Sequence, residues 1–208
     1  MLLEERNYYK PFNYPWAFEA YKTQQHMHWL PDEVPLADDL KDFREKLSDD
    51  NRKLLSNIFR FFTQADVDVA CGYATHYLPT FKQPEVRMML SAFANMEAVH
   101  QEAYSLLLET LGYDDSEYQM FTQVKSMSDK HEYLSMFDTK TDVGLAKTMA
   151  VYSAFTEGVQ LFSSFAILLN FPRHNFMKGM GQIVTWSIRD ETLHVESMSR
   201  LFKEFIRE

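Results

Sequence analysis

The stretch LSAFANMEAVHQEAYSLLLETL, residues 90–111, decides the fold, because a Glu-x-x-His sequence interrupts an apolar helical stripe there. The stripe consists of Leu90, Phe93, Glu97, His100, Tyr104, Leu107 and Leu111. Residues three apart share a helix face, so Glu97 and His100 should both face the core. Burying an ionised carboxylate without a partner costs on the order of several kcal/mol. The stretch therefore predicts a compensating positive charge, and a divalent cation is the simplest candidate.

A second Glu-x-x-His, formed by Glu191 and His194, lies in another apolar stripe. That stripe consists of Val184, Ile188, Glu191, His194, Met198, Leu201 and Phe205. Each motif is preceded by an acidic residue in an apolar helix, Asp66 before the first and Glu157 before the second. The chain thus contains two similar helix pairs, each contributing one carboxylate and then one Glu-x-x-His. This is a duplication of function, with little residue identity between the halves.

Asp68 is the alternative to Asp66 for the first carboxylate. The helical neighbours of Asp66 include Phe59, Phe62 and Val69, whereas those of Asp68 are more polar. Asp66 therefore fits the buried face better. We expect Asp68 to be solvated or to lie just outside a metal site.

Four carboxylates and two imidazoles suit iron or manganese, whereas a zinc site is usually smaller and four-coordinate. One carboxylate from each of two helices, with Glu-x-x-His from each of two others, is the di-iron or di-manganese arrangement of ferritin-like bundles. The sequence therefore predicts an all-α, ferritin-like helical bundle with four ligand-bearing helices around a dinuclear metal site.

The placement of helix caps and breakers indicates one large helical domain over residues 32–208, after an irregular N-terminal segment over residues 1–31 that is rich in Tyr, Pro and Trp. Ser48, Pro84 and Asp142 offer helix starts, and Gly112 and Pro172 offer stops. The predicted helices cover residues 36–46, 49–77, 85–111, 114–136, 142–170 and 174–207.

Composition excludes several classes of protein. No segment approaches about 18 consecutive apolar residues, and the N-terminus lacks a signal-peptide pattern, so we expect no membrane association. The formal net charge of −9 argues against a nucleic-acid partner. The single cysteine, Cys71, excludes an internal disulfide and fits a reducing compartment. We therefore expect a cytoplasmic protein, either bacterial or, if viral, in the host cytoplasm.

The motifs resemble those of the small, radical-generating subunit of class I ribonucleotide reductase. The resemblance runs from about Trp29 to the C-terminus and rests on ligand type, order and spacing. It is carried by Trp29-Leu-Pro-Asp-Glu-Val, Gln64-Ala-Asp66, Met96-Glu-Ala-Val-His100 with Tyr104, Thr156-Glu157-Gly and Arg189-Asp190-Glu-Thr-Leu-His194.

The resemblance implies a role for each matching residue. The metal ligands it implies are Asp66, Glu97, His100, Glu157, Glu191 and His194. Tyr104 matches the family's radical tyrosine, one helical turn beyond His100. Trp29 matches the tryptophan that relays an electron to the protein surface, a choice that the residues alone leave open between Trp29, Trp16 and Trp186. Asp190 matches the hydrogen-bonded partner that links this tryptophan to His100.

The resemblance also implies a dinuclear iron cofactor, with manganese or a mixed Mn/Fe pair as alternatives, a homodimer, and a large catalytic subunit that makes deoxyribonucleotides. Family members continue well beyond the last ligand, whereas this chain ends at Glu208. We therefore expect a truncated or split form, or a companion chain that supplies the C-terminal region.

Two other functions fit the ligand set. One is an oxidase or oxygenase of related fold that acts on a small molecule and has a sizeable apolar cavity at the metals. The other is a ferritin-like iron-storage protein that forms a many-subunit shell. The combination of Tyr104, Trp29 and Asp190 favours the radical subunit, because neither rival function explains all three.

Overall fold

A computed structural model describes residues 1–208, and every regular element in it is a helix, as the sequence predicts. We number seven helices in chain order. They are α1 (Pro15–Met27), α2 (Ala37–Lys41, extended by a π-helical turn to Lys46), α3 (Asp49–Gly72, extended through Tyr73–Tyr77 and Leu78–Thr80), α4 (Pro84–Leu111), α5 (Lys125–Ser135), α6 (Asp142–Arg173) and α7 (Lys178–Phe205).

The two longest uninterrupted α-helices, α4 and α7, begin in different ways. Pro84 occupies the first turn of α4, and Gly112 ends that helix in the left-handed conformation with φ of 86°. The start of α7 is capped from outside, because the buried carboxylate of Asp39 accepts hydrogen bonds from the backbone N–H groups of Gly179 and Met180, both at 2.8 Å. This distant cap fixes the N-terminus of a helix that carries two predicted ligands.

The expectation that residues 1–31 are irregular is wrong for Pro15–Met27, which form α1. Pro15 lies in the first turn, where its missing N–H costs nothing, and its fixed φ favours the helix. Ala17, Ala20 and Gln24 form the buried face of α1, which packs against α4. The amphipathic pattern is weak because its buried face contains two alanines and a glutamine rather than large apolar residues.

The single helix predicted over residues 114–136 is also wrong in detail. It is a 3₁₀ segment from Asp115 to Gln123, followed by α5 from Lys125 to Ser135. Val124 separates the two with an extended ψ of 102°. The two pieces lie against α3 and contribute few buried residues.

Two clusters of buried apolar side chains fill the interior. Each of the four long helices, α3, α4, α6 and α7, contributes side chains to both clusters. On α3, Phe62 belongs to the first cluster and Tyr73 to the second, with Asp66 between them. On α7, Val184 belongs to the first and Met198 to the second. The predicted ligands therefore form a buried polar layer between two apolar clusters.

Helix α6 is long and apolar enough to cross a membrane by length and composition alone, with a window of mean hydropathy 1.2. The expectation that no segment approaches a membrane span is thus too strict for this helix, because its polar residues are mostly small and uncharged. Phe155, Val159 and Ile167 are exposed on its outer face. Its inner face contributes Leu161, Phe165 and Leu168 to the first apolar cluster, as a core helix does.

Candidate metal centre

The four long helices each deliver predicted ligands to the polar layer. Asp66 comes from α3, Glu97 and His100 from α4, Glu157 from α6, and Glu191 and His194 from α7. All six side chains are buried, with relative exposures of 0–1%. Glu157 lies in a π-helical stretch from Ala150 to Leu161. Such wide turns occur often at functional sites, since they redirect a side chain without ending the helix.

Glu97 and Glu191 each reach both imidazoles, so they occupy the middle of the site. The Nδ1 atom of His194 lies 3.1 Å from Glu97 Oε1, 3.4 Å from Glu191 Oε2 and 4.0 Å from Glu157 Oε1. The Nδ1 atom of His100 lies 3.2 Å from Glu191 Oε1 and 3.6 Å from Glu97 Oε2. Ligands held about 2.1 Å from one ion at right angles are about 3 Å apart. The separations of 3.1–3.6 Å between the imidazole nitrogens and the oxygens of Glu97 and Glu191 are close to this value.

Most of the atoms that could bind a metal have no hydrogen-bond partner. His194 Nδ1, both oxygens of Glu97 and Glu191, Asp66 Oδ2 and Glu157 Oε2 are buried and have no hydrogen-bond partner. Buried polar atoms almost always have a partner, so a cluster of orphans requires an explanation. The residues fit a metal, because these orphan atoms are carboxylate oxygens and an imidazole nitrogen. Glu97, Glu157, Glu191 and His194 offer ligand atoms that all lie within 4.8 Å of one another.

The pKa values of the site residues are shifted by burial and by the charges of their neighbours. Burial, together with the neighbouring Glu97, raises the pKa of Asp66 well above its usual range. Burial and the nearby Glu191 do the same for the pKa of Glu157. Burial alone would lower the pKa of His194, but the nearby carboxylates of Glu191 and Glu97 raise it to about 10. In the metal-free protein, bound protons therefore compensate the crowded carboxylates.

The two candidates for the α3 carboxylate occupy different surroundings. Asp66 is 1% exposed and interacts electrostatically with Glu97 and His100. Asp68 instead faces α5, where its Oδ1 atom contacts His131 Nδ1 at 2.8 Å and accepts a hydrogen bond from Gln64 Nε2 at 2.7 Å. The structure thus places Asp66 in the polar layer and Asp68 outside it, as the sequence argument expects.

Known proteins match this chain over nearly its whole length. The model of the family "Ribonucleotide reductase, small chain" matches residues 6–208. The chain is 52% identical to "Probable ribonucleoside-diphosphate reductase small subunit 376L" of Invertebrate iridescent virus 6, in an alignment that covers 100% of this chain and 61% of that protein.

The chain belongs to the ribonucleotide reductase small-chain family.

Solved structures show that the fold is that of this family. The ribonucleotide reductase R2 subunit from Clostridium botulinum aligns with a TM-score of 0.83 and 22% identity, over 92% of this chain and 62% of that one. The dimanganese(II)-NrdF of Streptococcus sanguinis aligns with a TM-score of 0.81 and 22% identity, over 97% of this chain and 72% of that one. The ferritin-like bundle is therefore confirmed. The chain spans about three fifths of the length of the curated relatives it matches.

The polar chain that the family resemblance implied is present. Trp29 Nε1 donates a hydrogen bond to Asp190 Oδ2 at 2.8 Å, and the same oxygen lies 3.2 Å from His100 Nε2. Among the alternative tryptophans, Trp186 stacks obliquely on Trp29 with ring centroids 5.1 Å apart. The structure brings Trp29, Asp190 and His100 together in one buried line, which fixes the orientation of the His100 ring.

Tyr104 lies at the boundary between the polar layer and the first apolar cluster. Its ring stacks on Phe62 with centroids 4.7 Å apart, and Phe62 in turn stacks on Phe165 at 5.1 Å. Its hydroxyl is 3.5 Å from Ser187 Oγ, a long hydrogen bond. Burial, with a contribution from Asp66, raises the pKa of Tyr104 well above its ordinary value, so the phenol stays protonated.

Among the polar residues that sequence reasoning missed, Gln24 and Tyr73 contact side chains of the predicted site. Gln24 of α1 donates to Asp190 Oδ1 at 3.1 Å, and its Oε1 atom lies 3.1 Å from His194 Nε2. Tyr73 of α3 donates to Glu157 Oε1 at 3.0 Å. The only local signal for Tyr73 is its position seven residues after Asp66, two helical turns along the same face. Gln24 has no such signal, because its helix was not predicted.

Proposed function

We propose that this chain is the radical-generating subunit of a ribonucleoside-diphosphate reductase, an oxidoreductase that makes deoxyribonucleotides. The observation that carries the proposal is the polar layer itself, where two central carboxylates each face both imidazoles and Tyr104 lies alongside. Membership of the small-chain family supports it. The activity is a proposal because the chain matches only about three fifths of its relatives' length.

The proposed cofactor is a dinuclear iron centre, with manganese or a mixed Mn/Fe pair as alternatives. One metal would be held by His100 and Asp66, the other by His194 and Glu157, as the pairing of the imidazoles with their neighbours suggests. Glu97 and Glu191 would be shared between the two. Hard carboxylate oxygens and imidazole nitrogens are the donors that both metals accept. The Streptococcus sanguinis neighbour is a dimanganese(II) protein, which supports manganese as an alternative.

When bound, the metal pair supplies O2 activation and a one-electron oxidant. Tyr104 would be the electron donor to that oxidant. Its raised pKa keeps the hydroxyl protonated beforehand, so the proton would leave with the electron, along the hydroxyl's hydrogen bond to Ser187 Oγ. Phe62 and Phe165 exclude water from the phenol ring and so protect the resulting radical from quenching. Trp29 and Asp190 provide the route by which an electron reaches the site through His100.

The proposed partners are a second copy of this chain, in a homodimer, and a large catalytic subunit that receives the oxidising equivalent. We also propose that a companion chain, or a longer form of this polypeptide, supplies the C-terminal region that its relatives contain. No nucleic-acid or membrane partner is proposed, and the proposed location is the cytoplasm of a bacterium or of a virus-infected host.

Metal analysis and electron paramagnetic resonance test the function directly. The purified chain, loaded with Fe(II) under anaerobic conditions and then exposed to O2, should contain two metal ions and give a tyrosyl radical signal. Tyr104→Phe retains the ring that packs on Phe62 and removes only the oxidisable hydroxyl, so it should keep both metals and lose the signal. A tyrosyl signal that persists in this variant would assign the radical elsewhere, with Tyr152 the first residue to test.

The alternative of an oxidase acting on a small molecule requires space beside the metals. The buried line of Trp29, Asp190 and His100, together with the buried Tyr104, favours the radical subunit, because a small-molecule oxidase does not need this set of residues. An iron-storage protein would instead take up far more than two irons per chain.

A further inference from the structure

Tyr73 is the one phenol whose hydroxyl touches a predicted metal ligand. Its hydroxyl donates to Glu157 Oε1 at 3.0 Å, and both side chains are at most 1% exposed. Tyr104, by contrast, donates only to Ser187. The two tyrosines therefore flank the polar layer on different sides, with Tyr104 near Asp66 and Tyr73 beside Glu157.

The surroundings of Tyr73 hold its hydroxyl in one place. Its ring makes edge-to-face contacts with Tyr77 at 5.5 Å, Phe93 at 6.2 Å and His194 at 6.2 Å. Tyr73 also begins a π-helical turn, Tyr73–Tyr77, at the end of α3. A ring packed on three sides has little freedom to rotate, so the hydrogen bond to Glu157 is built into the fold.

This hydrogen bond makes the two oxygens of Glu157 unequal. Oε1 accepts from Tyr73, whereas Oε2 is buried and has no partner. A carboxylate whose one oxygen accepts a fixed hydrogen bond resists rotation, and this disfavours a chelating mode in which both oxygens bind one ion. Partners that hold a ligand in this manner typically affect metal affinity ten- to a hundredfold when they are removed.

We infer that Tyr73 is a positioning residue that holds Glu157 in a one-oxygen binding mode at the His194 side of the centre. The inference rests on the proposed function, since it assumes that Glu157 is a metal ligand. It assigns Tyr73 a role different from that of Tyr104: Tyr73 orients a ligand, whereas Tyr104 is oxidised.

Cobalt(II) titration of the metal-free protein tests this, because the visible spectrum of Co(II) depends on the number and geometry of its ligands. Tyr73→Phe keeps the packed ring and removes only the hydroxyl. We expect the variant to bind two Co(II) ions per chain, with a changed visible spectrum and about ten- to a hundredfold weaker binding of one ion. Circular dichroism verifies that each protein is folded.

Tyr77→Phe is the matched control. Tyr77 is equally buried, lies in the same turn and donates its hydroxyl to the backbone oxygen of Thr148 at 3.3 Å, not to a ligand. A purely structural role would lower the melting temperature of both variants and leave both spectra unchanged. The inference is overturned if Tyr73→Phe matches the wild type in spectrum and affinities. If the wild-type protein itself binds no Co(II), the proposed metal centre fails and the inference fails with it.

Discussion

At the scale of single residues, the central fact is that Glu97 and Glu191 are fully buried and lack hydrogen-bond partners. Each faces two imidazoles, which can offset the charge of the carboxylates in the metal-free protein only by binding protons. A metal pair would offset the same charge without requiring protonated histidines. These residues are therefore poor choices for stability alone and good choices for metal binding.

We predict that replacing Glu97 or Glu191 with Ala abolishes binding of at least one of the two metals while the protein stays helical. Both carboxylates are expected to be shared, so losing either one removes a ligand from each position. Elemental analysis of the purified protein measures the metal content, and circular dichroism measures the helicity. Glu102→Ala is the control, because Glu102 is exposed on the same helix. A Glu97→Ala protein that retains two tightly bound metals would refute the ligand assignment.

A pH dependence follows from the shifted pKa values of the metal-free site. The pKa of His194 is raised to about 10, so the folded protein binds this proton more tightly than the unfolded chain does. The resulting stabilisation is complete below the ordinary histidine pKa of 6.5 and is lost as the pH rises towards 10. Burial alone would raise the pKa of Glu191, but His100 and His194 lower it to about 2. The contribution of Glu191 to the stability of the folded protein is therefore lost as the pH falls from 4.5 towards 2.

We therefore predict that the metal-free protein loses thermal stability between about pH 6.5 and 10, and that the metal-loaded protein loses much less over that range, because metal replaces the protons. Melting temperatures of both forms across the range are the measurement. His131→Gln serves as a control, since this partly exposed histidine pairs with Asp68 outside the polar layer. Equal pH profiles for the two forms would mean that protons and metal do not compete for the site.

At the scale of elements, helix α7 depends on a carboxylate from α2. Asp39 is fully buried and accepts from the backbone N–H groups of Gly179 and Met180. The first N–H groups of a helix have no partner within it, so a distant carboxylate satisfies them. Asp42 assists, because its Oδ2 accepts from the backbone N–H of Met177 at 2.9 Å.

We predict that Asp39→Ala lowers the free energy of unfolding by about 2 kcal/mol, because two buried N–H groups lose their acceptor. For a chain of this length, that corresponds to a fall of about 4–8 °C in melting temperature. Thermal denaturation followed by circular dichroism measures it. Asp38→Ala, which changes the exposed neighbouring carboxylate, should melt close to the wild type. A similar fall in both variants would show that the cap is not the cause.

The helices also show where the periodicity of apolar residues fails to predict secondary structure. The four ligand-bearing helices were predicted close to their observed bounds, because large apolar residues recur on one face over many turns. Helix α1 was missed because its buried face consists of Ala17, Ala20 and Gln24. The π-helical stretch that carries Glu157 was not predicted either, since a change from four-residue to five-residue hydrogen bonding leaves little trace in the sequence.

At the scale of the whole molecule, the chain contains all four ligand-bearing helices but matches only about three fifths of its curated relatives. The site is buried between two apolar clusters that these helices supply themselves. Metal binding should therefore need nothing beyond residues 1–208. The proposed transfer of an oxidising equivalent to a large subunit would be a separate requirement.

We predict that residues 1–208 assemble the metal pair but support no nucleotide reduction with a cognate large subunit. Activity should return when the region that the relatives possess is supplied on the same or a companion chain. Deoxyribonucleotide formation with and without that region is the measurement, and metal content is the control that the site is intact in both. Full activity from residues 1–208 alone would show that docking and electron transfer use other parts of this chain.

The sequence by itself predicted the ligand set, and it determined the helices that carry those residues and the family. Helical spacing is a local property, so a carboxylate and an imidazole three residues apart reveal a shared face without any knowledge of the fold. Only the tertiary structure decided what surrounds them. Gln24 meets Asp190 across 166 residues, Asp39 meets Gly179 across 140, and Tyr73 meets Glu157 across 84. No periodicity records such pairs, because they form only when the packing of whole helices brings single side chains together.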